Sequence, residues 1–149
     1  MDIKEHNEQA KAWLRRYEAC VKDLETIEIQ YMELVGKQES TGAIEYSDMP
    51  KAHGNISDLS DYMVLREKEQ KKYWKARYKK LRTGTEIKNA INALPESDER
   101  MLMTLRYINL LRWEEIVYRM GKSWKCIVHD LHSKALSEIK IPEKNNQSK

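Results

Sequence analysis

The stretch WEEIVYRMGKSW, residues 113–124, places one glycine between two short apolar patterns. Helical spacing before the glycine predicts a short helix from about Arg112 to Met120, with an apolar side of Trp113, Ile116, Val117 and Met120. Gly121 supplies a positive φ without a Cβ clash, and Ser123 is a good cap for a following helix. Two interpretations stay open at this point: the elbow of a helix-turn-helix, or an ordinary turn between two packed helices.

The sequence on either side of this turn predicts a compact unit of three helices, residues 93–141. The preceding helical segment is expected to end at Pro95, and Ser97 is expected to cap the first helix of the unit. The expected buried side of that helix is Met101, Leu102, Leu105 and Ile108. The third helix is expected from about Ser123 to Lys140, with Ile127, Leu131, Ala135 and Leu136 buried. After Pro142, the polar residues 142–149 form a tail.

Residues 1–92 predict a long, coiled-coil-like helical hairpin. A seven-residue repeat runs from Ile3 to about Val35, and its two apolar series are Ala10, Tyr17, Leu24, Tyr31 and Trp13, Cys20, Ile27, Leu34. Residues 36–57 hold three of the five glycines and are expected to form a loop. A second long helix then reaches about Arg82, where Thr83-Gly84-Thr85 is expected to kink or break it. The predicted fold class is therefore all-α.

Charge is distributed unevenly along the chain. Residues 1–65 carry 7 Lys and Arg against 13 Asp and Glu, whereas residues 66–95 carry 10 against 3. The stretch REKEQKKYWKARYKKLR, residues 66–82, has two interpretations: a nucleic-acid surface, with lysines on phosphates and aromatic rings on bases, or a packing stripe of Tyr73, Trp74, Tyr78 and Leu81. The packing stripe is favoured, with the acidic first helix as electrostatic partner. A hairpin within one chain and a homodimer through the N-terminal helices both satisfy it.

Residues 93–139 resemble region four of sigma-70-type RNA polymerase sigma factors. The matching elements are the Leu-Pro before an acidic Glu-Arg, then LRYI, WEEI, MG-x-S and LHSKAL. The whole chain is similar to a family of small phage and prophage regulators related to the ArpU and RinA late-transcription activators. That family pairs a long N-terminal helix and an SDMP loop, here Ser47 to Pro50, with this C-terminal module. The resemblance implies a DNA-binding transcriptional regulator.

The chain departs from the family pattern at three places, and one is Val117, which stands where a small residue is common in the first helix of the motif. The family has glycine after RYI-x, where this chain has Leu110. In addition, the third helix is one residue longer than the pattern: counted from Gly121, Ile127 fills the usual apolar position, but counted back from Ala135-Leu136, Val128 fills it. The register of the DNA-facing side is thereby open by one residue.

Carried over from Gly121, the resemblance implies two sets of DNA contacts. Lys125 is the strongest candidate for reading a base, since lysine can donate to guanine O6 and N7, whereas Trp124 either stacks or packs. The base-reading set is Ser123, Trp124, Lys125, Val128 and His129. Phosphate contacts, which fix the position on DNA without reading sequence, are expected at Arg112, Trp113, Lys122 and Lys134.

We therefore expect a sequence-specific regulator that binds double-stranded DNA in the bacterial cytoplasm and controls phage late or packaging genes. The alternative is an interaction protein that binds RNA polymerase or a sigma factor without reading bases. No enzyme, cofactor, metal site or membrane span is expected. Catalytic motifs are absent from the sequence, and Cys126, His129 and His132 lie on one helix, which rarely builds a zinc site alone.

Overall fold

Every regular element that the structure describes is helical. This computed structural model describes the backbone of residues 2–42 and 55–143 and the side chains of residues 2–36 and 59–143, and no strand occurs among them. The prediction of an all-α fold is confirmed. The elements are α1 (Ile3–Leu14), α2 (Arg16–Gly42), α3 (Asn55–Asn92), α4 (Ser97–Met103), the π-helical segment π1 (Thr104–Ile108), α5 (Trp113–Met120), the π-helical segment π2 (Lys125–Leu131) and α6 (His132–Glu138).

The predicted loop at residues 36–57 is wrong at both ends. Helix α2 continues to Gly42 and α3 begins at Asn55. Glycine lowers helix propensity by only about 1 kcal/mol, which neighbouring good helix formers can offset. Residues 43–54, including the Ser47–Pro50 motif, lie outside the described part of the chain.

The seven-residue repeat of the N-terminal segment is used as predicted. All eight positions of its two apolar series are buried or half-buried. One turn at Arg15 interrupts the expected single helix. There the side chain of Arg16 donates from Nε to the carbonyl oxygen of Trp13 at 3.1 Å and also pairs with Glu86 at 3.0 Å. The carbonyl is thus satisfied by a side chain beside the break.

Two compact units divide the chain: Met1–Ala19 with Leu81–Lys149, and Cys20–Lys80. The first unit holds two clusters of buried side chains. The first cluster brings together α1, the end of α3, π1 and α6, and it is built from Ala10, Leu14, Ile87, Ile91, Leu94, Met103, Tyr107, Ala135, Leu136 and Ile139. The second cluster is Leu102, Leu105, Ile116 and Ile127. The division of the sequence at residues 92 and 141 stays a prediction.

The sequence had suggested a kink or break at Thr83-Gly84-Thr85, but helix α3 is not broken there. The Thr85 hydroxyl donates to the carbonyl oxygen of Leu81 at 2.9 Å, and the helix runs on to Asn92. Gly84 instead allows close approach, because a Cβ there would lie 2.9 Å from Cε2 of Tyr17. Gly84 therefore permits close packing against Tyr17 within an unbroken helix.

In the second unit, α3 turns a different side inward from the one predicted. The half-buried positions are Tyr62, Arg66, Glu69, Tyr73, Ala76 and Lys80, spaced alternately by four and three residues. Tyr62 donates to the carbonyl oxygen of Leu34 at 3.4 Å, and the Tyr31 and Tyr73 rings stack with centroids 6.4 Å apart. Of the predicted packing stripe, only Tyr73 is inward. Trp74, Tyr78 and Leu81 are exposed, because long polar side chains line the inward side with their aliphatic stems.

Two predictions for the first short helix are also wrong. Ser97 is the first residue of α4 and Glu96 holds the capping position, with no side-chain capping bond. Met101 is exposed, and Met103 is buried in its place. Beyond Met103 the chain continues as π1, where Leu105 and Tyr107 are buried.

Candidate nucleic-acid interface

Gly121 ends α5 in the left-handed conformation. Its φ is 63° and ψ is 28°, and its N–H donates to the carbonyl oxygen of Val117 at 3.0 Å. Such a backbone suits glycine, because an L side chain there crowds the following carbonyl. The predicted positive φ at this turn is confirmed.

Ser123 caps the helix that follows, as predicted. Its hydroxyl oxygen accepts from the N–H of Cys126 at 3.2 Å, and its carbonyl oxygen accepts from the N–H of Ile127 at 3.0 Å. The first of these bonds satisfies an N–H group that a helix start leaves without a partner, and the second is the first hydrogen bond within the helix. A helical stretch, residues 124–138, then runs through π2 and α6; we name it the C-terminal helix.

Apolar packing fixes the angle between α5 and the C-terminal helix. Ile116 and Ile127 are fully buried in the second cluster, and Met120 and Leu131 pack against it from the two sides. These are the four side chains that the sequence predicted for this task. The elbow is therefore held by its own core, while residues 121–125 are exposed.

The five residues expected to read bases do not all have the same surroundings. Trp124, Lys125 and His129 are exposed, and Trp124 belongs to neither buried cluster. Val128 is half-buried against the second cluster. Ser123 is exposed but its hydroxyl already serves as the cap. Trp124, Lys125 and His129 are the side chains with the most surface available to a ligand.

The one-residue excess in the C-terminal helix coincides with π2. A π-helical turn holds about one residue more than an α-helical turn, and such turns often absorb an inserted residue. Ile127 is fully buried before the widened turns end, and Ala135 and Leu136 are buried after them. The widened turns thus lie between the two points from which the register is counted, and the register on DNA stays a prediction.

The residues expected to contact phosphates also differ in their surroundings. Arg112 is exposed at the start of α5. Lys122 pairs with Asp98 at 2.6 Å, and Lys134 pairs with Glu96 at 2.7 Å and Glu99 at 3.2 Å. These carboxylates raise the pKa of each lysine. A phosphate at either lysine must therefore compete with an acidic side chain of the chain itself.

Trp113 is a packing residue in this structure. Its ring lies edge-on to His132 with centroids 4.7 Å apart, and the guanidinium of Arg106 sits 4.6 Å from its centroid. Arg106 also donates to the carbonyl oxygen of Leu111 at 3.0 Å. The indole is half-buried and held from two sides, so it orients the start of α5.

Sequence reasoning missed the role of His132. This imidazole is buried, with Nε2 2.8 Å from the Tyr107 hydroxyl and the two rings stacked at 5.9 Å. Burial, and then the positive charges of Lys11, Arg106 and Arg15, lower the pKa of His132 to about 4. Burial also raises the pKa of Tyr107 to about 12. The neutral pair connects α6 to π1, and no local sequence pattern signals a contact between residues so far apart.

Leu110 adopts a left-handed backbone with φ 57°, at the position where the resembled family has glycine. A non-glycine residue there costs about 1 kcal/mol of backbone strain. Leu110 therefore adds backbone strain just before α5.

Glu99 is a second buried ionisable group close to the C-terminal helix. Its side chain is fully buried, and burial and then Glu138 raise its pKa, although Lys134 opposes this. Among the described residues, no three His, Cys, Asp or Glu side chains converge as a metal site would require. In the described chain, no helix combines the length and apolar character that crossing a bilayer needs.

No protein-family model, no curated protein and no solved structure matches this chain.

Proposed function

We propose that this chain is a sequence-specific DNA-binding transcriptional regulator of the phage or prophage kind, and not an enzyme. In this proposal α5, the turn at Gly121–Ser123 and the C-terminal helix form a sigma region four-like helix-turn-helix, and α2 and α3 form a helical hairpin. The regulator acts in the cytoplasm of a bacterial host and controls late or packaging genes.

One observation supports the proposal most directly: an exposed helix start stands on an elbow with its own core. Gly121, the Ser123 cap and the packed pair Ile116 and Ile127 hold that start in one orientation. Recognition helices enter a major groove with their N-terminal residues at the base edges. Lys125 lies there, exposed and beside capped backbone N–H groups.

The mixed charge around the elbow limits the expected affinity. Asp98 and Glu96 pair with the lysines beside the helix, and Glu114 and Glu115 are exposed on α5. Because phosphate neutralisation supplies most non-specific binding, we expect weak binding to random DNA. Affinity for a chosen site then depends on base contacts and on a second copy or a polymerase contact.

The first experiment selects bound sequences from random duplex DNA with the full chain and then measures binding of the selected site. Lys125→Glu is expected to abolish specific binding, whereas the helical circular dichroism is retained. An acidic residue in the first helical turn is favourable to the helix dipole, so the variant should fold. Lys88→Glu, an equal charge change at an exposed position of α3, is the matched control.

Lys125→Ala distinguishes a base contact from a phosphate contact. Loss of a base contact relaxes preference at one base pair by about 1–3 kcal/mol, whereas loss of a phosphate contact weakens all sequences alike and lowers the salt slope by about 1. Unchanged binding in Lys125→Glu, or an equal loss in Lys88→Glu, argues against the C-terminal helix as the reader.

An exposed surface on α5 favours a second candidate function, binding to RNA polymerase or a sigma factor without reading bases. Tyr118 is 88 % exposed and stands one turn from Glu114 and Glu115. An aromatic ring among carboxylates suits a basic protein surface better than DNA. Capture of polymerase by a chain that selects no DNA sequence supports this candidate over the first.

A further inference from the structure

The second unit exposes an apolar and acidic face on α2. Five side chains, three of them carboxylates, lie on successive turns and are all exposed; we call them the acidic face: Glu25, Glu28, Ile29, Met32 and Glu33. Ile29 and Met32 keep 61 % and 67 % of their surface in water. Among the described residues, none of the three carboxylates makes an ion pair with a basic side chain.

Helix α3 exposes a face of the opposite charge. It is formed by Lys71, Trp74, Lys75, Arg77 and Tyr78, which we call the basic face. Trp74 and Tyr78 keep 55 % and 67 % of their surface in water, and Arg77 sits 5.4 Å from the Trp74 ring centroid. The ion pair of Lys71 is with Glu67, on the same helix. The basic face thus makes no ion pair with the acidic face.

One groove is lined by residues of both faces. Glu28 and Met32 of the acidic face line it together with Trp74 of the basic face. By helical rise, the acidic face spans roughly 12 Å and the basic face roughly 10 Å. They are matched in length, opposite in charge, and each has an apolar centre.

We propose that a second copy of this chain covers the groove, so that the basic face of each copy lies on the acidic face of the other. A two-fold axis through the groove generates both contacts at once, because an isologous interface uses the same patch on both subunits. Trp74 and Tyr78 become the buried anchors beside Ile29 and Met32, and the charges form the rim. This proposal does not depend on DNA binding.

The same observations favour a protein over a nucleic acid at the basic face. Glu28 lines the groove beside Trp74. Glu25 and Glu33 line a neighbouring depression on α2 together with Glu28, and this negative charge repels phosphates. Ile29 and Met32 also gain nothing from stacked bases, whereas they gain from burial against another apolar surface.

Sedimentation of the full chain, treated with nuclease and freed of nucleic acid, tests the proposal. We expect a monomer–dimer equilibrium that shifts toward monomer as salt rises, since the rim charges are screened. Trp74→Asp is expected to weaken dimerisation on the order of thirtyfold, the effect of losing one aromatic anchor. Tyr118→Asp, at an exposed aromatic position on α5 outside both faces, is the matched control and should leave the dimer intact.

Charge reversal makes the test specific to the two faces. One variant carries Glu25→Lys, Glu28→Lys and Glu33→Lys; the other carries Lys71→Glu, Lys75→Glu and Arg77→Glu. Each variant alone places like charges together and should stay monomeric, whereas an equal mixture should form a one-to-one heterodimer. A monomeric parent, reversed variants that still self-associate, or a mixture that stays monomeric overturns the proposal. So does association of the parent that disappears on nuclease treatment.

Discussion

Acid is expected to destabilise the first unit through His132. The folded-state pKa of this imidazole is about 4, against an ordinary value of 6.5, because burial and the nearby charges of Lys11, Arg106 and Arg15 disfavour the imidazolium. Between these two values the unfolded chain binds more protons at this residue than the folded chain. The free energy of unfolding therefore falls as the pH drops from about 6.5 toward 4.

The size of this effect follows from the shift. Each pKa unit corresponds to about 1.36 kcal/mol, so the full contribution of His132 is about 3 kcal/mol below pH 4. Between pH 7 and pH 5 the expected loss is about 2 kcal/mol, or about 4–8 °C in Tm for a chain of this size.

The assay is denaturant unfolding of the parent and of His132→Gln at several pH values between 5 and 7. We expect the variant to lose the acid destabilisation that His132 causes, whatever its stability at pH 7, since glutamine does not titrate there. His129→Gln removes an exposed imidazole from the same helix and should retain the acid destabilisation.

The difference between parent and variant is the quantity to compare, because Glu99 acts in the opposite direction on both curves and its effect cancels in the difference. Tyr107→Phe is a second variant, and it removes the hydroxyl that lies 2.8 Å from Nε2 of His132. Its cost should be near 1 kcal/mol at pH 7 and should change little down to pH 5, because the pKa of about 4 keeps the folded His132 neutral there. Equal pH slopes in the parent and His132→Gln would refute the reasoning.

Two further predictions concern the elbow and the buried carboxyl. Gly121→Ala should lower the free energy of unfolding by about 1 kcal/mol from left-handed strain alone, because a Cβ there meets nothing within 4 Å. Gly36→Ala is equally open but lies inside α2, so it should raise the free energy of unfolding by up to about 1 kcal/mol. Shifts of the same sign for both variants in thermal melts would contradict this. Glu99→Gln should remove a destabilisation that grows as pH rises. Burial and Glu138 raise the folded-state pKa of this carboxyl, so its contribution to stability is complete below pH 4.5 and is lost as pH rises through the folded value. Urea unfolding of both chains from pH 5 to 8 checks this, and parallel curves would rule it out; Lys134 keeps its 2.7 Å partner Glu96 in the variant.

The elbow could be predicted from sequence because its determinants are local. A positive φ at Gly121 and a cap at Ser123 depend on residues within one turn of the chain. The seven-residue repeat of the N-terminal helices is local in the same sense, and it identified their buried side correctly. Each of these patterns restricts the backbone directly.

Helix α3 could not be predicted in this way. Its inward side carries Arg66, Glu69 and Lys80, and its apolar aromatic residues Trp74 and Tyr78 point to water. A rule that places aromatic residues inside fails when long polar side chains can bury their stems and when a surface serves another contact. The wrong prediction points to the basic face of α3, because a helix with the predicted stripe inward would have no basic and apolar face available to a partner.

The π-helical segments lie between these cases. No residue type specifies an i→i+5 turn, but the extra residue between Gly121 and Ala135-Leu136 was visible in the sequence. π2 accommodates the extra residue. The elbow fixes the orientation of the helix before π2, and the buried Ala135 and Leu136 fix the orientation of the turns after it. Register arguments carried across π2 are therefore unsafe in either direction.

π2 divides the proposed reading surface into a part whose position is set by the cap and a part whose position depends on the register. Lys125 stands within one turn of the cap, so its position is set by Ser123 and Gly121 whatever the later register. At the next reading position the two counts give His129 or Asp130, and both are exposed. An imidazole can donate to a purine N7, whereas a carboxylate accepts from the cytosine amino group. The base that a selected site holds opposite this position therefore reports which count the helix follows on DNA.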